Sequence, residues 1–96
     1  MNILIANDDG FSAVGIKKLA ARLAKGNDVF VVAPMGERSG TSHSVSFFSG
    51  ITYRYEGELD GIKTWSVSGS TADCVLFGIK YLLKDVNIDA VVSGIN

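Results

Sequence analysis

Two short apolar runs on either side of one amphipathic stretch constrain the fold of this chain more than any other feature. The runs cover residues 3–6 and 29–33, and a helix is predicted between them over residues 13–25. Apolar runs that do not alternate with polar residues indicate strands covered on both faces. A strand, a helix of about a dozen residues and a second strand form a βαβ unit, whose strands are parallel.

The remainder of the chain predicts further elements of the same kind. Residues 35–50 are rich in serine and glycine and predict a loop. The β-rich runs 51–55 and 64–67 flank a turn near 56–61 and predict a hairpin set apart from the main sheet. Residues 90–92 form a third apolar run, which predicts another strand.

Both predicted helices have candidate capping residues. Ser12 is placed to cap the first helix, whose apolar stripe is Val14, Ile16, Leu19, Ala20 and Leu23. Ser70 and Asp73 have the spacing of a capping box at the start of the second helix. The predicted buried stripe of that helix consists of Ala72, Val75, Leu76, Ile79, Leu82 and Leu83.

These elements predict an α/β fold: a Rossmann-like parallel sheet with flanking helices and a β-hairpin excursion. The 96 residues suffice for one small domain. A parallel strand is normally followed by a connection and a helix that covers it, whereas the last apolar run here is followed by only a few residues. We therefore expect residues 1–96 to be the N-terminal part of a single α/β domain that is incomplete at its C-terminus.

Composition narrows the possible partners and the compartment. The formal net charge is −1, so no basic patch indicates a nucleic-acid polymer as the partner. The sequence has no apolar run near the roughly 20 residues of a membrane span, and its start lacks the pattern of a secretory signal. Cys74, the single cysteine, cannot form an internal disulfide, and this predicts a cytoplasmic protein.

Polar residues follow the carboxyl ends of the predicted strands, where parallel α/β sheets form their binding crevice. The segments are 7–10, 33–44 and 93–96. Hard oxygen donors favour Mg²⁺, Mn²⁺ or Ca²⁺ over zinc, for which one histidine and one cysteine are too few. The residues expected to converge at this edge are Asp8, Asp9, Ser39, Ser42, His43, Ser44 and Asn96.

Alternatives remain open for each of these segments. The Asp-Asp-Gly sequence also fits a solvated turn with helix-capping aspartates. Residues 39–44 fit either a plain polar loop or a loop whose N–H groups and hydroxyls bind a phosphate. Trp65, Phe47 and Phe48 fit either stacking on a base or packing in a core or oligomer. The sequence lacks a Gly-Lys-Ser/Thr signature and a G-x-G-x-x-G after its first strand, which disfavours a P-loop ATPase and a dinucleotide enzyme.

Four motifs in order resemble the survival protein SurE family of metal-dependent 5′/3′-nucleotidases, which also attack other phosphomonoesters and short polyphosphate. They are ILIANDDG, VVAPMGERSGTSHSVS, SGSTADCV and VVSGIN. The third departs from the family pattern, since Thr71 stands where the family usually has proline and Ser70 where it usually has threonine. Family members also continue beyond the position of Asn96.

The resemblance implies one divalent metal ion per subunit, Mg²⁺ or Mn²⁺, with Ca²⁺ possible in crystals. Its implied ligands are Asp8, Asp9, Ser39 and Asn96, with the two aspartates as catalytic residues. The implied substrate is a nucleoside monophosphate or another small phosphomonoester, as for an acid-phosphatase-like enzyme, and the implied assembly is a homodimer or homotetramer. The residues assigned to phosphate or substrate binding are Asn7, Gly40, Ser42, His43 and Ser44.

Two other interpretations also fit parts of the sequence. The chain fits an inactive structural fragment of such an enzyme, because the completing half of the family pattern is not in it. A Mg²⁺-binding receiver domain of signalling proteins also places two acidic residues after its first strand. That class needs a phospho-accepting aspartate after the third strand, and the segment GITYRYEG offers none.

Overall fold

A computed structural model describes residues 1–35, 46–48 and 50–93 of the chain. In this part of the chain, six strands form one sheet, and two helices flank it. The elements are β1 (Asn2–Ala6), α1 (Val14–Leu23), β2 (Asp28–Pro34), β3 (Ser46–Phe48), β4 (Ile51–Leu59), β5 (Ile62–Val67), α2 (Thr71–Phe77), a π-helical turn (Gly78–Leu82) and β6 (Ala90–Ser93).

The centre of the sheet is parallel, as the βαβ prediction requires. The strand order is β3-β4-β5-β2-β1-β6. Strand β1 pairs in parallel with β2 and with β6, and β2 pairs in parallel with β5. Strands β3 and β4 add an antiparallel margin, so the sheet as a whole is mixed. The α/β class and the three apolar strands predicted from sequence are confirmed.

The predicted hairpin exists, but its separation from the main sheet was wrong. Strands β4 and β5 pair antiparallel, and β5 also pairs with β2 from Phe30↔Lys63 to Pro34↔Val67. The physical reason is that both faces of β5 are covered. Thr64 and Ser66 are buried on one face and Val67 on the other, so the strand can occupy an interior position.

Strand β3 lies inside the stretch predicted to be a loop, which is a second correction. Its residues pair antiparallel with β4, ending at the pair Phe48↔Ile51. Main-chain pairing of this kind depends on a neighbouring strand that is already in place. The serine-rich composition of residues 35–50 gives no indication of this pairing.

Two apolar clusters lie on opposite faces of the sheet. The first joins Ile3, Ile5 and Val31 to Ile16 and Ala20 of α1. The second packs strand side chains against α2 and the segment that follows it, through Leu4, Val32, Val67, Cys74, Phe77 and Leu83. Because neighbouring residues of β1 and β2 enter different clusters, both strands are apolar without alternation.

No helix in the described part of the chain is long and apolar enough to cross a membrane.

The N-cap of the first helix lies one position later than predicted. Ala13 occupies the N-cap position and makes no side-chain capping bond, so the cap assigned to Ser12 was wrong. Its N–H donates instead to the carbonyl oxygen of Gly10 at 3.3 Å, and that turn determines where the helix starts. Val14, predicted to be buried, is 67% exposed, whereas Ile16 and Ala20 are buried as expected.

The buried face of α2 differs from the predicted stripe. Leu76 is 56% exposed and Ile79 37% exposed, while Cys74, Phe77 and Gly78 face the core. Gly78 explains the difference. A Cβ atom at this position would lie 3.2 Å from Val32 Cγ2, so the absence of a side chain lets the helix approach the sheet closely. A prediction from the spacing of apolar residues does not place a glycine on the buried face of a helix.

The capping box predicted for α2 is confirmed. The Asp73 N–H donates to Ser70 Oγ at 3.2 Å, and the Ser70 N–H donates to Asp73 Oδ2 at 2.9 Å. The chain enters this cap through Gly69, which has a φ of +114°. A Cβ atom there would lie 2.6 Å from Asp73 Oδ2, the oxygen that accepts the bond from Ser70.

We expect Gly69→Ala to lower the free energy of unfolding by about 1–3 kcal/mol, because it adds backbone strain and displaces the capping carboxylate. Gly26→Ala is the matched control, since Gly26 has a φ of +87° and open space where its Cβ would lie. Chemical denaturation of both variants measures the two losses. Equal losses would mean that the contact with Asp73 adds nothing to the backbone strain.

Candidate active site

The carboxyl ends of four parallel strands meet at one edge of the sheet. These strands are β1, β2, β5 and β6, and the acidic turn leaves β1 directly after Ala6. Ser93, the last residue of β6, is the register partner of Ala6. The segment after β2 starts at Met35, whose N–H donates to the carbonyl oxygen of Val67 at 3.1 Å. The described starts of the three predicted site segments, after Ala6, at Met35 and at Ser93, therefore lie at the same edge of the sheet.

Asn7 holds the acidic turn in shape. Its side chain is buried, with 1% of its surface exposed. Asn7 Nδ2 donates to the carbonyl oxygen of Gly10 at 3.1 Å, and the Gly10 N–H donates to Asn7 Oδ1 at 3.2 Å. Both ends of the amide are thus used inside the turn. This geometry favours a positioning role for Asn7, and its predicted contact with substrate stays a prediction.

Asp8 and Asp9 project from this turn as exposed residues. Within the described part of the chain, neither carboxylate accepts a hydrogen bond or joins an ion pair; the ion pair found there joins Arg54 and Glu56. The capping alternative raised by the sequence required these carboxylates to stabilise the turn or the helix. The side chain of Asn7 stabilises the turn instead, and α1 has no side-chain cap. No described residue therefore competes with a cation for these two carboxylates.

Thr71 joins α2 to the acidic turn, a contact that the sequence did not indicate. Its Oγ1 donates to the carbonyl oxygen of Asn7 at 3.0 Å. This is the position at which the SurE pattern usually has proline, a residue without a hydroxyl. The departure from the family pattern at position 71 was the one sign of this contact in the sequence. The first turn of α2 is thus connected to the turn that carries Asp8 and Asp9.

Most of the other predicted site residues lie outside the described residues. The structure describes the aspartates and Asn7 at the carboxyl edge, and it brings these together. It does not test the placement of Ser39, Gly40, Ser42, His43, Ser44 or Asn96. Residues 1–35, 46–48 and 50–93 contain no group of three or more His, Cys, Asp or Glu side chains arranged to hold a metal ion.

The donor chemistry of the acidic turn fits a hard divalent cation. Two adjacent carboxylates repel each other, and an ion with two positive charges relieves that repulsion. Both carboxylates are exposed, and they can take up ligand geometry without breaking a bond to any residue in the described ranges. Mg²⁺ and Mn²⁺ suit such oxygen ligands, and Mg²⁺ sites commonly use one or two carboxylates together with substrate phosphates.

Cys74 belongs to the core and not to the site. Its side chain is fully buried on the sheet face of α2. Burial, with a smaller contribution from the charge of Asp73, raises the pKa of the Cys74 thiol to about 11. A thiol with that pKa stays protonated near neutral pH, so it is a poor nucleophile there.

The sheet, the flanking helices and the acidic turn after β1 define a Rossmann-like α/β protein with a candidate cation site at its carboxyl edge. The sequence matches the family described as Survival protein SurE over residues 3–96. The chain belongs to that family, which confirms the resemblance found in the four motifs.

Relatives and a solved structure agree with this assignment. A 5′-nucleotidase SurE of Clostridium botulinum (strain Alaska E43 / Type E3) is 49% identical over 98 residues, and one of strain ATCC 19397 / Type A is 46% identical over 96. The crystal structure of the SurE protein from Aquifex aeolicus matches with a TM-score of 0.73 at 36% identity. Each alignment covers 100% of this chain but 38% of the other protein's length.

Proposed function

We propose that this chain is part of a metal-dependent phosphomonoesterase that hydrolyses nucleoside monophosphates, a 5′/3′-nucleotidase, with short polyphosphate as a further substrate. The observation that carries the proposal is the pair of exposed carboxylates, unbonded to any other described residue, on a turn that Asn7 holds, in a chain of the SurE family. Relatives named 5′-nucleotidase SurE support the substrate class.

The proposed ligands of the ion are Asp8, Asp9, Ser39 and Asn96. When bound, a divalent cation supplies positive charge against the negative charge that develops on the phosphate oxygens in the transition state. Mg²⁺ and Mn²⁺ are the proposed ions. Asp8 and Asp9 are placed on the exposed side of the turn, where their carboxylates can face a substrate.

The aspartates are also the proposed acid–base groups. One of them, with Asp8 the first choice, orients the attacking water and accepts its proton as the oxygen approaches phosphorus. The bond to the leaving oxygen then breaks in line, that oxygen takes up a proton from solvent water to give the alcohol, and no covalent intermediate with the protein is needed. Residues 39–44 are proposed to hold the phosphate through N–H groups and hydroxyls, with His43 as a further donor.

The partners, the assembly and the compartment of the protein are proposed on the same basis. A nucleotidase of this class acts on small phosphate esters and not on nucleic-acid polymers or membranes, and we propose a cytoplasmic homo-oligomer, either a dimer or a tetramer. The buried, protonated Cys74 is compatible with a reducing compartment.

We expect a chelator to abolish phosphomonoesterase activity and added Mg²⁺ or Mn²⁺ to restore it. The assay uses the longest natural polypeptide that contains this sequence, called the long form here, with nucleoside monophosphates as substrates. The chelator removes the charge that the two aspartates alone cannot supply. Full activity in metal-free buffer after chelation would contradict the mechanism.

The alternative function is a structural fragment without activity. One observation favours it for the 96-residue chain alone: this chain spans 38% of the length of the relatives it matches. Assaying the chain and the long form side by side separates the two possibilities. If only the long form were active, the 96 residues alone would be an inactive structural fragment.

A further inference from the structure

One long-range side-chain bond ties the acidic turn to α2. Thr71 Oγ1 donates to the carbonyl oxygen of Asn7 at 3.0 Å. That carbonyl belongs to the peptide group that joins Asn7 to Asp8. A peptide group is planar, so a bond that fixes the direction of its carbonyl also fixes the plane from which the backbone of Asp8 departs. The hydroxyl of Thr71 therefore orients the first of the two aspartates through the backbone.

The acidic turn is held at both of its ends. Thr71 fixes the peptide group before Asp8, and the Asn7 side chain bonds to the N–H and the carbonyl oxygen of Gly10 at 3.2 and 3.1 Å. The two exposed aspartates lie between these anchors. Their backbone is thus set before an ion arrives, so less conformational entropy is lost on binding. Mg²⁺ demands near-ideal octahedral geometry, and a preset backbone brings two ligands closer to it.

Thr71 is itself anchored on an element that packs against the core. It is the first residue of α2, directly after the cap formed by Ser70 and Asp73. The next turns of the helix place Cys74 and Phe77 in the apolar cluster on this face of the sheet. The branched side chain of threonine also restricts its χ1 angle. The bond therefore connects the acidic turn to the core and not to another loop.

The helix does not need the Thr71 hydroxyl for its own cap. Ser70 Oγ already accepts the bond from the Asp73 N–H at 3.2 Å, and threonine is one of the weaker helix formers. Proline, usual at this position in the family, is well suited to the first residue of a helix but has no hydroxyl. Relatives that carry proline there cannot make this bond. The hydroxyl in this chain is used across 64 positions, on the acidic turn.

We propose that Thr71 is a positioning residue for the cation site. Its hydroxyl fixes the peptide group between Asn7 and Asp8, and through it the spacing of the Asp8 and Asp9 carboxylates. Thr71 acts through the backbone of Asn7 and supplies no ligand to the ion. This role rests on the proposed function, since it takes both aspartates as ligands of a divalent cation.

Mn²⁺ binding to the long form tests this role, with free Mn²⁺ measured by electron paramagnetic resonance. Thr71→Val keeps the branched shape and removes the hydroxyl, whereas Thr71→Ser keeps the hydroxyl. Residues behind the direct ligands contribute about 10–100-fold to metal affinity, so we expect Thr71→Val to raise the Mn²⁺ dissociation constant about tenfold. Thr71→Ala, which suits a helix better, should give the same loss. Thr71→Ser should bind Mn²⁺ as wild type does.

Thr64→Val is the matched control, because it also removes one bond from a threonine hydroxyl to a carbonyl oxygen. Thr64 Oγ1 donates to the Ile62 carbonyl oxygen at 3.0 Å inside β5, and Thr64 is buried. Thermal melts establish which variants are folded at the temperature used. Thr64→Val should leave the Mn²⁺ dissociation constant unchanged. Equal losses of affinity in Thr71→Val and Thr64→Val, or a loss that Thr71→Ser shares, would overturn the positioning role.

A double-mutant cycle with Asp8→Asn separates this role from the proposed function. If Thr71 acts through the peptide group before Asp8, Thr71→Val costs less Mn²⁺ affinity once the Asp8 carboxylate is gone, so the two losses are not additive. Full additivity would overturn the positioning role. Normal Mn²⁺ binding by Thr71→Val, beside weak binding by Asp8→Asn, would overturn it too and leave the proposed function standing. A wild type that binds no Mn²⁺ would overturn both.

Discussion

We expect Asp8→Asn and Asp9→Asn each to lower the Mn²⁺ affinity and the phosphomonoesterase activity of the long form by at least about 100-fold. The estimate follows from metal sites in general, where even residues behind the direct ligands contribute about 10–100-fold. Each substitution removes one of the two adjacent negative charges that the acidic turn offers a cation. Titration calorimetry with Mn²⁺ and a steady-state assay measure the two effects.

The same variants should keep their stability. Both aspartates are exposed and make no hydrogen bond to other described residues, so their replacement costs at most about 0.5 kcal/mol. Removing one of two adjacent charges also relieves repulsion when no metal is bound. We therefore expect the metal-free variants to melt at the temperature of wild type or slightly above it.

Asp60→Asn provides the matched control for these substitutions. Asp60 is also exposed and lies in the turn between β4 and β5, at the opposite edge of the sheet from the acidic turn. Its φ of 55° is one that asparagine adopts readily. The control should change neither metal affinity nor activity. If Asp8→Asn and Asp9→Asn lost stability but bound Mn²⁺ normally, the aspartates would be turn-forming residues after all.

Local patterns in this sequence predicted the elements that local physics determines. The apolar runs of β1 and β2 were found because both faces of these central strands are covered. The run of β6 was found from the same pattern, although β6 is the last strand in the described sheet and its Val91 is 43% exposed. The capping box of α2 was found because Ser70 and Asp73 interact over three positions. The acidic turn was placed at the correct edge because the βαβ rule fixes strand direction.

Features that depend on tertiary contact were missed. The core face of α2 is set by Gly78, which lies against Val32 of a strand 46 positions earlier. The short strand β3 exists through its pairing with β4. The bond from Thr71 to the Asn7 carbonyl oxygen joins residues 64 positions apart. Such contacts have no periodic signature, and the two resemblance-based ligands Ser39 and Asn96 remain predictions because they lie outside the described residues.

The largest effect on stability is expected from Asn7→Ala, which removes the side chain that holds the acidic turn. The Gly10 N–H loses its partner in a buried position, whereas the Gly10 carbonyl oxygen loses one bond and still accepts from the Ala13 N–H. An unpaired buried polar group costs about 1–3 kcal/mol and a lost hydrogen bond about 1 kcal/mol, so we expect a total loss of about 2–4 kcal/mol in the free energy of unfolding. Chemical denaturation of the metal-free protein measures that loss.

The role of Asn7 in positioning is tested by metal affinity and not by stability alone. Asn27→Ala is the control, because Asn27 Nδ2 donates to the Leu23 carbonyl oxygen at 2.9 Å at the end of α1, away from the site. Both variants should be less stable than wild type. At a temperature where both are folded, Asn7→Ala should bind Mn²⁺ at least tenfold more weakly, since Asp8 and Asp9 lose their fixed spacing, while Asn27→Ala binds it normally. Raised KM for the substrate with unchanged Mn²⁺ affinity would instead assign Asn7 to substrate contact.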